Sequence, residues 1–178
     1  ASTSISSALG FAHARDKDKT DDQIVSIIGD GAMTGGLAYE GINNLGFHKT
    51  QMTIVLNDNS MSISESVGAL SRYLNRVVTN PTYNRIRNDS WDLSGKIPIS
   101  SFARKFLRKT EEGIKGFLTP GGLFEELGLR YIGPVDGHDL DELIRTFESV
   151  KEMNTPVLVH VYTKKGKGSK SAESDSVK

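Results

Sequence analysis

An α/β fold built on a mainly parallel sheet, with helices on both faces, is what this sequence predicts. Three observations point there. The first is a strand–helix–strand run over roughly 33 residues, from Ile24 to Leu56, which is the length of one βαβ unit. The second is a further helix pattern leading into the β-branched run at residues 157–162. Strands that alternate with helices form parallel sheets with right-handed crossovers. The third is glycine, at 18 of 178 residues, about one in ten against an average of ~7%.

The elements follow in order. Ile5, Ala8, Leu9 and Ala12 recur at i, i+3, i+4 and i+7, which predicts an amphipathic helix over residues 4–15. Residues 15–22 are charged and lack apolar side chains, so they read as a solvated loop. Ile24-Val25-Ser26-Ile27-Ile28 fits a strand buried on both faces, and Gly29-Asp30-Gly31 ends it. A helix over residues 35–47 places Ala38, Ile42 and Leu45 on one face. Met52 to Leu56 form a second buried strand, ended by Asn57-Asp58-Asn59.

The middle is irregular. Residues 64–74 fit a short helix, and residues 80–98, rich in Asn, Asp, Ser and Pro, read as a long mobile loop. A helix resumes near Ser101, with Phe102, Phe106, Ile114 and Phe117 on one side. Arg104, Lys105, Arg108 and Lys109 on its other side read as a solvated basic face before an anion site. After the turn at residues 119–122 come a short helix at 123–127, a capping Gly128 and a strand at 129–132. Asp139 fits the N-cap of a helix whose stripe is Leu140, Leu143, Ile144, Phe147 and Val150. The last strand is 157–162, and the Lys-, Gly- and Ser-rich residues 164–178 read as a mobile tail.

At 19.4 kDa the chain is expected to form a single domain over residues 1–178. Hydrophobic residues at 37% suffice for a core. Lys+Arg and Asp+Glu are 22 each, and this balance argues against bulk binding of nucleic acid or anionic membrane. The absence of cysteine excludes disulfides, cysteine-ligated metal sites and a thiol nucleophile. No apolar run is long enough to cross a membrane, and the opening residues lack the basic start and apolar core of a signal peptide.

Ligands of open parallel sheets sit at the carboxyl ends of the strands. Two such ends carry hard oxygen donors, Asp30 in Gly29-Asp30-Gly31-Ala32 and Asn59 in Asn57-Asp58-Asn59-Ser60-Met61. On neighbouring strands these two would meet at one edge. A carboxylate, an amide oxygen and a backbone carbonyl are half of an octahedral Mg²⁺ shell, and phosphate and water usually complete it. A diphosphate ligand follows, with Gly31 admitting it close to the backbone and the amides of the next helix facing it. Either motif alone is most often a tight turn. Their pairing across one βαβ unit, with 28 residues between Asp30 and Asn59, is far more specific.

That spacing resembles the thiamine diphosphate binding motif. Gly29 to Thr34, Leu56 to Ser64, Lys109-Thr110-Glu111-Glu112, Leu123 to Gly128 and Tyr131 to Asp139 resemble the 1-deoxy-D-xylulose-5-phosphate synthases more closely still. So do Ser2 to Ser6 and Thr163 to Gly168, so the likeness spans nearly the whole chain. The resemblance implies a thiamine diphosphate-binding fold within a larger, three-domain homodimeric transferase. It implies carboligation of pyruvate and D-glyceraldehyde 3-phosphate to 1-deoxy-D-xylulose 5-phosphate and CO₂. That product would feed non-mevalonate isoprenoid synthesis and thiamine synthesis, in a bacterial cytoplasm or a plant plastid. Carried over residue by residue, Asp30, Asn59 and the carbonyl of Met61 would bind Mg²⁺. Ala1, Gly31, Ala32, Asn59 and Ser169 would lie at thiamine diphosphate. Ser169 stands where members usually carry Tyr, a departure at that contact. The activating glutamate and the family's upstream histidines match nothing here, so no catalytic residue is assigned. Two other classes stay open: another thiamine enzyme, such as a transketolase or 2-oxo acid dehydrogenase component, and a non-catalytic Mg²⁺–diphosphate module.

Other polar residues have plainer readings. His138 fits a turn between Gly137 and the Asp139 cap. His13, His48 and His160 are given no role. Glu125 and Glu126 are adjacent on a helix and diverge into solvent. Lys164 and Lys165 fit a solvated tail before a phosphate contact. Limited proteolysis should cut first within residues 80–98 or after Lys164. First cleavage inside residues 24–56 would show the core to be misplaced.

Overall fold

The computed structural model of the chain describes residues 2–59, 68–79 and 121–174. The start of the helix expected at 64–74, the 80–98 loop and the helix near Ser101 lie outside the described residues. The described elements are α1 (Ser4–Asp18), β1 (Val25–Gly29), α2 (Asp30–Met33), α3 (Gly36–His48), β2 (Thr53–Asp58) and α4 (Ala69–Thr79). Then come α5 (Gly122–Glu126), β3 (Arg130–Asp136), α6 (Leu140–Lys151), β4 (Val157–Tyr162) and α7 (Lys170–Ser174).

The four described strands form one parallel sheet in the order β1-β2-β4-β3. β4 inserts between β2 and β3, so the sheet is not built by simple addition at one edge. All four carboxyl ends lie along one edge. Two cores form on the two faces. On one, Ile5, Leu9 and Ala12 of α1 and Ile42 and Leu45 of α3 join Ile28, Ile54, Leu56 and Leu158 of the sheet. On the other, Val150 of α6 joins Val55, Val135, Val157, Val159 and Val161, with Leu143 and Phe147 packed at the margin. Each fully buried Leu or Ile contributes about 1.5–3 kcal/mol, so the first face dominates. Gly46 lets α3 pack closely on the end of α5: a Cβ there would stand 1.8 Å from the carbonyl oxygen of Leu127.

Several expectations need correction. α1 runs on to Asp18, through the first half of the expected loop. The reason is Arg15, buried at 8% exposure, whose guanidinium donates to Asp16 and to the carbonyl of Asp22 at 3.4 Å. Lys19, at φ 55°, then ends the helix. β1 is buried on one face only, with Val25 52% and Ile27 68% exposed. Helix α6 covers β3 and β4 and leaves this flank as an open apolar groove, lined in part by Val25, Ile27, Val55 and Phe147. The α6 stripe is likewise split, since Leu140 and Ile144 are exposed. β2 continues two residues past Leu56, because Asn57 and Asp58 still pair with Val161 and Tyr162 of β4. β3 runs past Ile132 to Asp136, with a bulge between Ile132 and Val135 absorbing Gly133-Pro134. Past β4 the chain makes a turn closed by Lys167 N–H to the Lys164 carbonyl and then α7, which leaves the expectation of a mobile tail untouched.

The capping expectation holds. Asp139 Oδ1 accepts from the amide of Glu142 at 2.9 Å, and Asp141 and Glu142 add negative charge in the first turn. Asp139→Ala should therefore cost about 1 kcal/mol, lowering Tm by roughly 2–4 °C. Thermal melts of both forms read this directly, and a shift below half a degree would make the cap dispensable.

Candidate functional site

β1 and β2 pair in register, with Gly29 opposite Asn57. Asp30, one residue beyond β1, and Asn59, one residue beyond β2, therefore leave neighbouring strands at the same edge of the sheet. Asp30 is 4% exposed and opens α2, a single turn held against both strands. Gly31 and Ala32 form the body of that turn, half-buried. Thr34 returns to it, its hydroxyl donating to the Gly31 carbonyl at 2.7 Å. The Ser2 hydroxyl donates to the Ala32 carbonyl at 2.7 Å, tying the start of the chain to the turn. Gly35 makes this approach possible, since a Cβ there would stand 2.2 Å from Ser2 Oγ.

The β2 tip is held as firmly. The amide of Thr163 donates to the Asp58 carbonyl at 2.8 Å, and the Thr163 hydroxyl donates to Asn57 Oδ1 at 3.1 Å. Ser169 follows on the exposed turn beyond β4, with its hydroxyl 3.2 Å from that of Ser171. Ala1 and Met61 lie outside the described residues. The described structure thus brings Asp30, Gly31, Ala32 and Asn59 to one sheet edge. No group of three or more His, Cys, Asp or Glu among the described residues could hold a metal alone. The edge offers instead one carboxylate, Asp30, and one amide, Asn59, hard oxygen groups of a kind that could share Mg²⁺ with a phosphate ligand and that do not suit zinc.

His160 was given no role from sequence and is the residue that reading missed. It is fully buried in β4, with Nε2 3.0 Å from Asp58 Oδ2 and Nδ1 2.7 Å from the Tyr131 hydroxyl. A histidine inside Val-Leu-Val-His-Val-Tyr, beside a strand ending in Asp58, was the available signal. Among the other discounted residues, the His138 amide donates to Asp136 Oδ1 at 2.9 Å, and its Nε2 accepts from the Lys164 amide at 2.8 Å. That is the expected turn, with a clasp on the tail besides. His13 and His48 meet edge-to-face at 5.5 Å on the surface. Glu125 and Glu126 are exposed, as expected.

Comparison with solved structures finds the same fold within longer chains. A transketolase from Campylobacter jejuni superposes with TM-score 0.55 at 22% identity, over 89% of this chain and 19% of that one. A putative thiamin diphosphate-dependent enzyme from Mycobacterium smegmatis superposes with TM-score 0.50 at 16% identity, over 90% of this chain and 22% of that one. At such identities the likeness shows the fold alone.

Sequence carries the assignment further. Residues 1–163 match the 1-deoxy-D-xylulose-5-phosphate synthase family model, and the chain belongs to that family. The 1-deoxy-D-xylulose-5-phosphate synthase of Syntrophus aciditrophicus is 52% identical over 99% of this chain and 27% of its own length. One from Geobacter metallireducens is 52% identical over 97% of this chain and 28% of its own length. The chain therefore spans little more than a quarter of these relatives. No described helix is long and apolar enough to cross a membrane.

Proposed function

We propose that this chain is the part of a 1-deoxy-D-xylulose-5-phosphate synthase that holds the diphosphate end of thiamine diphosphate through Mg²⁺. The observation that carries the reading is the register of β1 against β2, which sets Asp30 beside the Asn59 turn at the carboxyl edge. Asp30, Asn59 and Met61 would ligate the metal, and Ala1, Gly31, Ala32, Asn59 and Ser169 would line the cofactor. The bound cofactor supplies the electron sink for decarboxylating pyruvate and joining its acetyl carbons to D-glyceraldehyde 3-phosphate. The chain's own residues bind and orient. Asp30 contributes the formal negative charge that draws the cation in. Asn59 contributes a neutral oxygen, so the metal keeps net positive charge for the diphosphate. Gly31 leaves its backbone open to a phosphate oxygen. The whole enzyme would be a homodimer, cytoplasmic in bacteria or plastidic in a plant, serving isoprenoid and thiamine synthesis.

The test uses the full-length enzyme. Calorimetric titration with thiamine diphosphate should show binding that depends on Mg²⁺. Pyruvate and D-glyceraldehyde 3-phosphate should then give 1-deoxy-D-xylulose 5-phosphate. Cofactor binding indifferent to Mg²⁺ would overturn the metal assignment, and turnover of ketose donors alone would favour a transketolase.

A further inference from the structure

A chain of polar side chains runs through a largely aliphatic part of the described interior. On the α1–α3 face of the sheet, Ile54 and Leu56 of β2 and Leu158 of β4 are fully buried, and so is His160. Asp58 beside it is 3% exposed. With the imidazole proton on Nε2, donated to the Asp58 carboxylate at 3.0 Å, Nδ1 is left to accept from the Tyr131 hydroxyl at 2.7 Å. Each link orients the next, and the chain crosses three strands, from β3 through β4 to the tip of β2. Tyr131 is itself fixed, its ring stacked on buried Phe124 with centroids 6.0 Å apart and planes 5° from parallel. Gly133 allows β3 to sit close, since a Cβ there would be 2.5 Å from the His160 carbonyl oxygen.

Stability is a poor reason for such a chain. Desolvating a carboxylate and an imidazole offsets most of what their hydrogen bond returns, and an apolar replacement of similar volume is often neutral or stabilising. What hydrogen bonds add over aliphatic packing is direction. Here the direction falls on Asp58, the residue before Asn59. Its carbonyl is already held by the Thr163 amide, and Asn57 by the Thr163 hydroxyl. The tip of β2 is thus held in the sheet plane and on both of its faces.

We propose that Tyr131, His160 and Asp58 are positioning residues for the metal turn, their buried chain fixing the backbone from which Asn59 departs. The proposal rests on the reading that Asp30 and Asn59 hold Mg²⁺. Outer partners of metal ligands commonly carry about 10–100-fold in metal affinity. In the full-length enzyme, Asp58→Ala should therefore weaken Mg²⁺ affinity, read by calorimetry with thiamine diphosphate, by about 10-fold or more. Asp58→Asn keeps an oxygen for His160 Nε2–H and should restore affinity to within about threefold. Tyr131→Phe keeps the ring on Phe124 and loses only the hydroxyl, so it should fold and still weaken Mg²⁺ severalfold. With Mn²⁺ as probe, the electron paramagnetic spectrum of Tyr131→Phe should broaden relative to the parent. Unchanged Mg²⁺ affinity in Tyr131→Phe and Asp58→Ala, whatever their melting temperatures, would overturn the proposal. So would an Asp58→Asn variant as weak as Asp58→Ala, since charge would then matter and not position. Asp30→Ala separates the two levels: if it too leaves Mg²⁺ affinity intact, the metal reading itself has failed.

Discussion

Asp30→Ala in the full-length enzyme is expected to abolish Mg²⁺-dependent binding of thiamine diphosphate while leaving the fold in place. Asp30 supplies the only formal charge among the three proposed ligands, and the other two are neutral oxygens. A hard divalent ion that keeps only an amide and a carbonyl from the protein has little reason to leave water. Loss of an outer partner alone costs about 10–100-fold in metal affinity, so loss of the charged ligand should exceed about 100-fold. The fold should tolerate the change. Asp30 is the first residue of a one-turn helix, and β1 keeps its pairing with β2 through residues 25–29. The backbone amide that follows is unaffected by the side chain. Circular dichroism and the apo melting temperature should stay near the parent's, and calorimetry should show the loss. Unchanged cofactor affinity would sink the assignment. Asp58→Ala should cost much less binding than Asp30→Ala, because Asp58 turns away from its neighbour Asn59, toward His160 and the core.

Much of this site is legible from residue order because it depends on local rules. Val157 to Tyr162 is β-branched and apolar between Pro156 and Thr163, and the observed strand has those bounds. The Asp139 cap follows from one side chain before an apolar stripe, and the observed hydrogen bond matches it. That the ends carrying Asp30 and Asn59 lie at one edge is legible because two turn signals flank one βαβ unit, and parallel pairing must bring such ends together. What sequence did not show depends on partners far along the chain. β2 runs through Asn57-Asp58, which reads as a turn, because Val161 and Tyr162 of β4 pair with it and the Asp58 carboxylate is met in the core by His160 Nε2. β3 crosses Gly133-Pro134, a breaker in isolation, because a bulge absorbs those residues. Burial also depends on neighbours: Val25 and Ile27 fit a central strand by composition, yet β1 stands at the edge of the described sheet, across an open groove from α6. A lone histidine in an apolar strand carries no role until its two partners, from residues 58 and 131, are in view.

The largest functional effect concerns the 178 residues taken alone. Purified by themselves, they should bind thiamine diphosphate weakly or undetectably and form no 1-deoxy-D-xylulose 5-phosphate, whereas the full-length enzyme should do both. Among the described residues, the carboxyl edge offers Asp30, Asn59, Gly31 and Ala32, all suited to the diphosphate end. The buried acid beside them, Asp58, is already engaged by His160 and faces away from the edge. Nothing in that set can exchange a proton with the ring end of the cofactor. By the proposed reading the activating glutamate would lie in another domain, and the relatives are nearly four times as long as the portion matched here. A cofactor held only by its diphosphate would leave its reactive ring in water, where a carbanion is protonated before it meets an aldehyde. Fewer contacts also lower affinity, since the entropy of fixing the cofactor is no longer offset by a second wall. The measurement is product formation from pyruvate and D-glyceraldehyde 3-phosphate with Mg²⁺ and cofactor in excess, alongside calorimetry on both proteins. Sustained turnover by the isolated chain would place the acid–base groups within these 178 residues and refute this division of labour.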